Sequence, residues 1–447
     1  MKRMCTGMLL ACMLLTAGVI PAGAAQLNDS TAESFLKNAG VREVTAAQPE
    51  GSGQGTSAVQ QAGFTGIERT VRANNPTVKA LQRTLSGIEN TDIEGQFFGQ
   101  YLQYEGQLKN YQAQVQGYQN TIAALNAAIT PDLDEATKGA LQAQLTAAKA
   151  NLAVSQAGVA AANAALGALD DAEEDAQEKL DDTVATYKRQ FANVENQLVV
   201  GAQTAYLGII AIDRGLDTLE RNLAMLDRNI ETVSRQYEIG MASQLTLDNL
   251  KQTRRTAAAQ QDTLLKQQNA AEKQLGLLLG KAADTAVTPS AVPAVTDKQL
   301  QDMDYDKDLQ AALKNSYSIW SKQDALREAS NDYEDDVTST LDAYEAAKLN
   351  LEAEKDNVTN SFRALYDDVQ DKRRLENEAA LALQTQQKNF DAATVQYQRG
   401  MISRNAYLDA QDELAAKQDA LDTARLDLFT AYNTYDWATR GFMSGAA

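Results

Sequence analysis

The chain contains no histidine, and both of its cysteines, Cys5 and Cys12, fall near its start. That removes Ser-His-Asp and Cys-His nucleophilic arrangements, zinc fingers, structural disulfides and histidine-based pH switching. Carboxylate chemistry is what survives, and Asp170-Asp171, Asp335-Asp336 and Asp367-Asp368 are the pairs to weigh. Adjacent residues on a helix do not face one another. No glycine-rich motif accompanies them, so they read as solvated helix faces. No catalytic, cofactor-binding or metal-ligating residue is expected, no cofactor is implied, and the chain does not read as an enzyme.

The residues with positional meaning are instead two glycines in otherwise glycine-free stretches. Gly240 and Gly400 each end a long periodic segment and precede another, where a helix reversal through a left-handed residue belongs. Their surroundings repeat. Asn229, Gln236, Tyr237, Gly240, Met241 and Ser243 match Asn389, Gln396, Tyr397, Gly400, Met401 and Ser403 at a constant offset of 160. More weakly, Asn74-Asn75-Pro76-Thr77-Val78 echoes Asn315-Ser316-Tyr317-Ser318-Ile319. A proline-bearing stretch, 286–293, lies between the halves. The chain reads as a tandem duplication of a helical unit.

The elements that must carry these turns are long helices. Aromatics make up 6% of the 447 residues, and no proline occurs after Pro293. That composition suits thin helical bundles and argues against a loop-rich all-β protein. Apolar positions alternate at spacings of 4 and 3 from Tyr104 to Ile129 and again from Leu141 to Leu169, separated by Thr130-Pro131-Asp132. Two such seams predict an antiparallel hairpin over about 104–170. A third seam predicts a separate long helix over 184–237. Return seams follow each glycine, over 247–278 and 407–435. They contain polar residues such as Arg254, Gln261, Gln268 and Lys417, which suit a wall facing an aqueous lumen or an ordinary solvated face. The fold class expected is all-α, with long antiparallel coiled-coil helices in two tandem repeats and little or no β-structure.

At the start, Lys2 and Arg3 precede an apolar stretch ending at Ala22-Gly23-Ala24, the pattern of a secretory signal peptide over 1–24. Its removal deletes Lys2 and Arg3 and no acid, taking the net charge from −19 to −21. Strong negative charge excludes nucleic acid as a natural partner. No later segment holds 18 consecutive apolar residues, so no further transmembrane helix is expected. Residues 25–65, centred on Gly51-Ser52-Gly53-Gln54-Gly55, read as a flexible leader. The first helical repeat is expected over 66–285, a linker over 286–300 and the second repeat over 301–442.

The paired Y-x-x-G-M-x-S turns, the Asn-Pro helix opening and the proline linker together resemble the TolC-like outer-membrane efflux family over roughly 66–442. The resemblance implies an exported homotrimer forming an α-helical periplasmic tunnel. It would sit at the outer membrane of a diderm bacterium, docked to a periplasmic membrane-fusion adaptor and an inner-membrane pump of an efflux or type I secretion system. It makes the two turns partner-docking tips, with Tyr237, Gly240, Met241, Ser243, Tyr397, Gly400, Met401 and Ser403 as their residues. It also nominates Asp409, nine after the second tip glycine, and Asp248 beside the first, as acids facing the lumen. Two other gate positions of the family fall on Ala406 and Ile402, so its gate is only partly matched. The family places barrel strands between the opening and long helices of each repeat. Here the only strand candidates are 97–104 and 337–344. The alternative reading is a structural coiled-coil envelope protein, a spacer or tether without channel activity. Gly158, within the hairpin, offers a reference glycine with no turn to make.

Overall fold

The computed structural model describes residues 60–290, 294–334 and 337–443. The expected signal peptide, the leader as far as residue 59, residues 291–293 of the linker and the pair Asp335-Asp336 lie outside the described residues. The chain divides into two compact units: Val59–Leu300 with Lys372–Thr430, and a second whose described part is residues 301–371 and 431–443.

The first unit opens with strand β1 (Gln60–Ala62), a 3-10 turn (Phe64–Gly66), α1 (Ile67–Asn74) and α2 (Pro76–Glu89). Asn75 starts α2: its Oδ1 accepts from the N–H groups of Thr77 at 2.9 Å and Val78 at 3.4 Å, and Pro76 has no N–H to lose. Then come α3 (Ile93–Ala128) and α4 (Glu135–Glu238). Asp134 caps α4 by accepting from Thr137 N–H at 2.9 Å. Pro131 sits in the break between the two helices, which pack as a hairpin. Tyr111 lies so close over Gly158 that a Cβ there would approach its ring to 2.6 Å. After α5 (Gln244–Leu278), strand β2 (Val287–Pro289) pairs in parallel with β1, and α6 (Asp297–Gln301) follows.

The core of this unit gathers where β1 and β2 meet α4. Phe64 stands edge-on to Tyr206, with centroids 5.5 Å apart, and to Phe429 at 4.8 Å. Val199, Ala202 and Ile209 of α4 are fully buried. Tyr206 is equally buried, and its hydroxyl donates to the Ser290 carbonyl at 2.8 Å. A buried hydroxyl without that acceptor would cost about 1–3 kcal/mol.

The second unit contains α7 (Tyr305–Asn315), α8 (Tyr317–Asn331) and parts of α9 (Thr338–Gln398) and α10 (Arg404–Thr439). Its centre is aromatic: Phe362 lies 5.9 Å from Tyr305 and 5.2 Å from Tyr435. The Tyr435 hydroxyl donates to Asp308 at 2.6 Å. Ile319, Leu351 and Val358 form a neighbouring apolar cluster.

Several expectations change. The leader expected to run to 65 gives way at Gln60, because β1 has a partner strand and Phe64 an aromatic pocket. The linker expected over 286–300 contains β2 and most of α6. The hairpin and the long helix are not separate: α4 is one helix of 104 residues. The acid-rich stretch 170–182 between them has neither proline nor glycine to end a helix. Both strand candidates are helical. Residues 97–104 belong to α3, where Phe97, Tyr101, Tyr104 and Leu108 continue the spacing of 4 and 3, and 338–344 open α9. Among the described residues, β1 and β2 are the only strands.

Candidate functional site: the paired helix reversals

Both reversals belong to the first unit and share one geometry. Gly240 has φ 77° and Gly400 φ 70°. In each, the glycine N–H bonds back to the tyrosine carbonyl, Tyr237 or Tyr397, at 2.9 Å. The methionine N–H bonds back to Gln236 at 2.7 Å or Gln396 at 2.8 Å. This doubly closed end satisfies two carbonyls that the helix leaves unpaired. The serine then starts the return helix: Ser243 Oγ accepts from Thr246 N–H at 3.1 Å and Ser403 Oγ from Ala406 N–H at 3.2 Å. A Cβ on either glycine would meet nothing within 4 Å. The left-handed conformation, not lack of space, is what calls for glycine.

Apolar side chains are presented at both ends. Met241 is 75% and Met401 68% exposed, with Ile239 and Leu245 beside the first turn also open to solvent. Tyr237 and Tyr397 are partly exposed. The turns differ in one respect: Tyr397 stacks on Tyr407 at 4.8 Å, whereas the equivalent of Tyr407 in the first repeat is the buried Leu247. Asp248 is exposed and accepts from Gln244 Nε2 at 3.0 and 3.1 Å. Asp409 is exposed on α10.

The two turns are held level by a ladder along α4 and α10. Arg228 donates to Asp412, Arg221 to Asp419, and Arg214 lies 3.4 Å from Asp422. Nearer the turns, Asn405 Nδ2 donates to Thr232 Oγ1 at 3.4 Å. These side chains are about one-third exposed, so each pair contributes on the order of 0.5–1 kcal/mol. Three rungs fix alignment more than they add stability. The ladder was readable: Arg214, Arg221, Arg228 and Arg235 recur every seven residues, which places them on one helix face. The polar seam residues of α5 have a similar explanation. Arg254 pairs with Asp227, and Gln268 Nε2 donates to Asp213, both on α4.

At helix ends away from the turns, two further glycines repeat the device. Gly280 (φ 74°) and Gly441 (φ 86°) close α5 and α10 with the same pair of backbone bonds. Within the first unit, Asn75 Nδ2 donates to the Leu278 carbonyl at 2.9 Å. Within the second, Asn315 Nδ2 donates to the Thr439 carbonyl at 3.4 Å. A Cβ on Gly280 would fall 2.3 Å from the Asn74 carbonyl oxygen, and one on Gly441 2.2 Å from the Asn315 carbonyl carbon. The echo between 74–78 and 315–319 therefore marks two equivalent junctions where a helix start meets a helix end.

Among the described residues, no group of three or more Asp, Glu, His or Cys is placed to hold a metal ion. No family model matches the chain, and no curated protein matches it. Its fold is similar to solved membrane-protein structures. A membrane protein from Pseudomonas aeruginosa is 15% identical, with a TM-score of 0.45, covering 88% of this chain and 96% of that one. The outer membrane protein VceC from Vibrio cholerae is 12% identical, with a TM-score of 0.44, covering 85% and 97%. CusC, solved in a study of folding and transmembrane channel formation, is 14% identical, with a TM-score of 0.47, covering 85% and 96%.

Proposed function

We propose that the protein is a subunit of an exported TolC-like efflux or secretion duct at the outer membrane of a diderm bacterium. Its paired reversals dock a periplasmic adaptor of an inner-membrane pump. The observation that carries this reading is the pair of level, repeat-related turns. Each offers an exposed methionine on a rigid, doubly closed helix end, and the Arg–Asp ladder holds the two in one plane. Duplicated tips on one chain suit a partner that meets a ring of similar ends. Homotrimerisation follows from the same reading, and Asp248 and Asp409 then become candidate lumen acids. The helical state of 97–104 and 338–344 favours one second reading, a spacer or tether without a channel.

Cell-envelope fractionation with crosslinking tests the proposal, because it reports compartment, oligomer and partner together. A trimer in the outer-membrane fraction that captures an adaptor, with capture lost in Met241→Glu/Met401→Glu, is the expected result. A monomer that captures no adaptor would favour the tether.

A further inference from the structure

The α3–α4 hairpin has an outer surface that neither unit's core explains. One 18-residue stretch of α4 is long and apolar enough to cross a membrane, and 17% of it is buried. Residues 150–169 carry no charged side chain. Asn151, Ser155, Gln156 and Asn163 interrupt the stretch, so it holds no run of 18 consecutive apolar residues. Within one protomer the stretch is mostly exposed, unlike the core helix of a soluble protein, and it lies far from the chain start, unlike a signal sequence.

The two outer faces of the hairpin differ in chemistry. On α4, the positions turned away from α3 include Ala150, Val154, Ala157, Ala161, Ala164 and Ala168, all exposed, with Val154 at 69%; Asn151, Gln156 and Asn163 are exposed as well. On α3, the outward positions opposite are mostly polar, Gln103, Gln107, Asn110, Gln112 and Gln116, with Glu105 and Lys109 paired at 3.7 Å; the exposed Leu102 is an exception. The register is fixed by Ser155 Oγ donating to Gln114 Oε1 at 3.2 Å and by Tyr101 donating to Asp170 at 2.5 Å. Hydrophobic length and flanking chemistry also match a bilayer. Twenty helical residues rise about 30 Å, the thickness of a hydrocarbon core. Lys149 bounds one end. At the other, the acids from Asp170 to Asp182 begin at once, with Tyr101, an aromatic of the kind that settles at a membrane–water interface, hydrogen-bonded to the first of them.

We infer that residues 150–169 of α4 face lipid, with α3 lining the aqueous side, so that the hairpin supplies the membrane end that the two short strands among the described residues do not. This deepens the duct reading and rests on it. Helices satisfy their backbone groups internally, so a helical wall can cross a bilayer where two short strands cannot. The ion pair and the near-continuous row of amides on α3 call for water or protein, whereas α4 exposes three amides, Asn151, Gln156 and Asn163, and no charge. A spacer standing in the periplasm has no need of one charge-free face of bilayer length.

The test uses the full chain, exported and purified, whose expected mature form has no cysteine. Single Val154→Cys, Ala161→Cys, Gln112→Cys and Met225→Cys variants are labelled with an environment-sensitive fluorophore. They are reconstituted in phosphatidylethanolamine and phosphatidylglycerol vesicles containing a brominated phosphatidylcholine. Labels at 154 and 161 should lose about half their emission to the brominated lipid, as in hydrocarbon. Labels at 112 and 225 should respond to aqueous iodide instead. Circular dichroism confirms that each variant keeps its helices. Iodide quenching at 154 and 161 overturns the inference. So does protection there without lipid quenching, above all with 154-to-154 crosslinks, which would mean that a second copy covers the face. Adaptor capture is measured on the same variants. Capture without lipid quenching leaves the duct reading standing and the hairpin assignment wrong, and lipid quenching without capture does the reverse.

Discussion

Alanine at the four helix-end glycines is expected to split them into two pairs. All four have φ between 70° and 86°, so each substitution forces a Cβ into the left-handed region at a cost of about 1–2 kcal/mol. At Gly240 and Gly400 nothing else opposes the methyl group. At Gly280 and Gly441 the Cβ would lie 2.3 and 2.2 Å from backbone atoms of Asn74 and Asn315, which cannot rotate away. Relief requires moving the α5 end off the Asn75 cap, or the α10 end off Asn315. Losing that cap bond and the packing around it adds roughly another 2–3 kcal/mol. Gly201 serves as the reference: it is helical, exposed and open around its Cβ, so Gly201→Ala should stabilise by up to about 1 kcal/mol. Gly158 cannot fill that role, since its Cβ would strike Tyr111. Thermal unfolding followed by circular dichroism resolves the three classes, each kcal/mol shifting the midpoint by about 2 °C in the larger unit and about 4–8 °C in the smaller one that holds Gly441. Equal losses in Gly280→Ala and Gly240→Ala would refute the claim that close backbone approach, rather than φ alone, sets the cost.

Other outcomes follow from the same geometry. The Arg228→Ala/Asp412→Ala cycle should give a coupling of about 0.5–1 kcal/mol that fades in high salt; a larger, salt-insensitive value would contradict a ladder at the surface. Asp213 is held above the ordinary carboxylate range by burial and then by Asp217, while burial and then Asp213 raise Glu272. The folded state therefore binds these protons more tightly than the unfolded one. The stability they contribute is present at low pH and lost as pH rises through the raised values. Asp213→Asn should accordingly raise the unfolding midpoint at neutral pH, and its advantage should vanish in acid; a destabilised variant at pH 7 would reverse the sign. If Asp409 rings a trimeric lumen, Asp409→Asn should abolish cation preference in a reconstituted conduit at low ionic strength and change little at high. Unchanged selectivity at low salt would leave Asp409 a surface acid.

Much of this molecule is legible from spacing alone. The seam from Tyr104 to Ile129 and the one from Leu141 to Leu169 announce a hairpin because a period near 3.5 leaves little other choice. Gly240 and Gly400 announce reversals because few residues tolerate positive φ. The union of hairpin and long helix into α4 is less visible. A run of acids looks like punctuation, yet on an exposed helix it costs little. The pairing of β1 with β2 is invisible locally, since Gln60 and Val287 meet only through the tertiary fold. Gly280 and Gly441 are missed for the opposite reason: they are ordinary in sequence and become singular only when Asn74 and Asn315 arrive against them.

The unbroken length of α4 also makes it a lever. No proline interrupts residues 135–238, and at about 1.5 Å per residue the rod extends roughly 156 Å. Swinging such a rod by one degree about one end displaces the other by about 2.7 Å, close to the length of a hydrogen bond. The Asp134-capped start at Glu135 and the closed end at Gly240 are thus mechanically a single body. A small tilt imposed at the first reversal would be delivered, magnified, at the hairpin turn. The second repeat has no equivalent arm, because α9 begins only at Thr338. Two reversals that look alike at their tips are geared differently behind them.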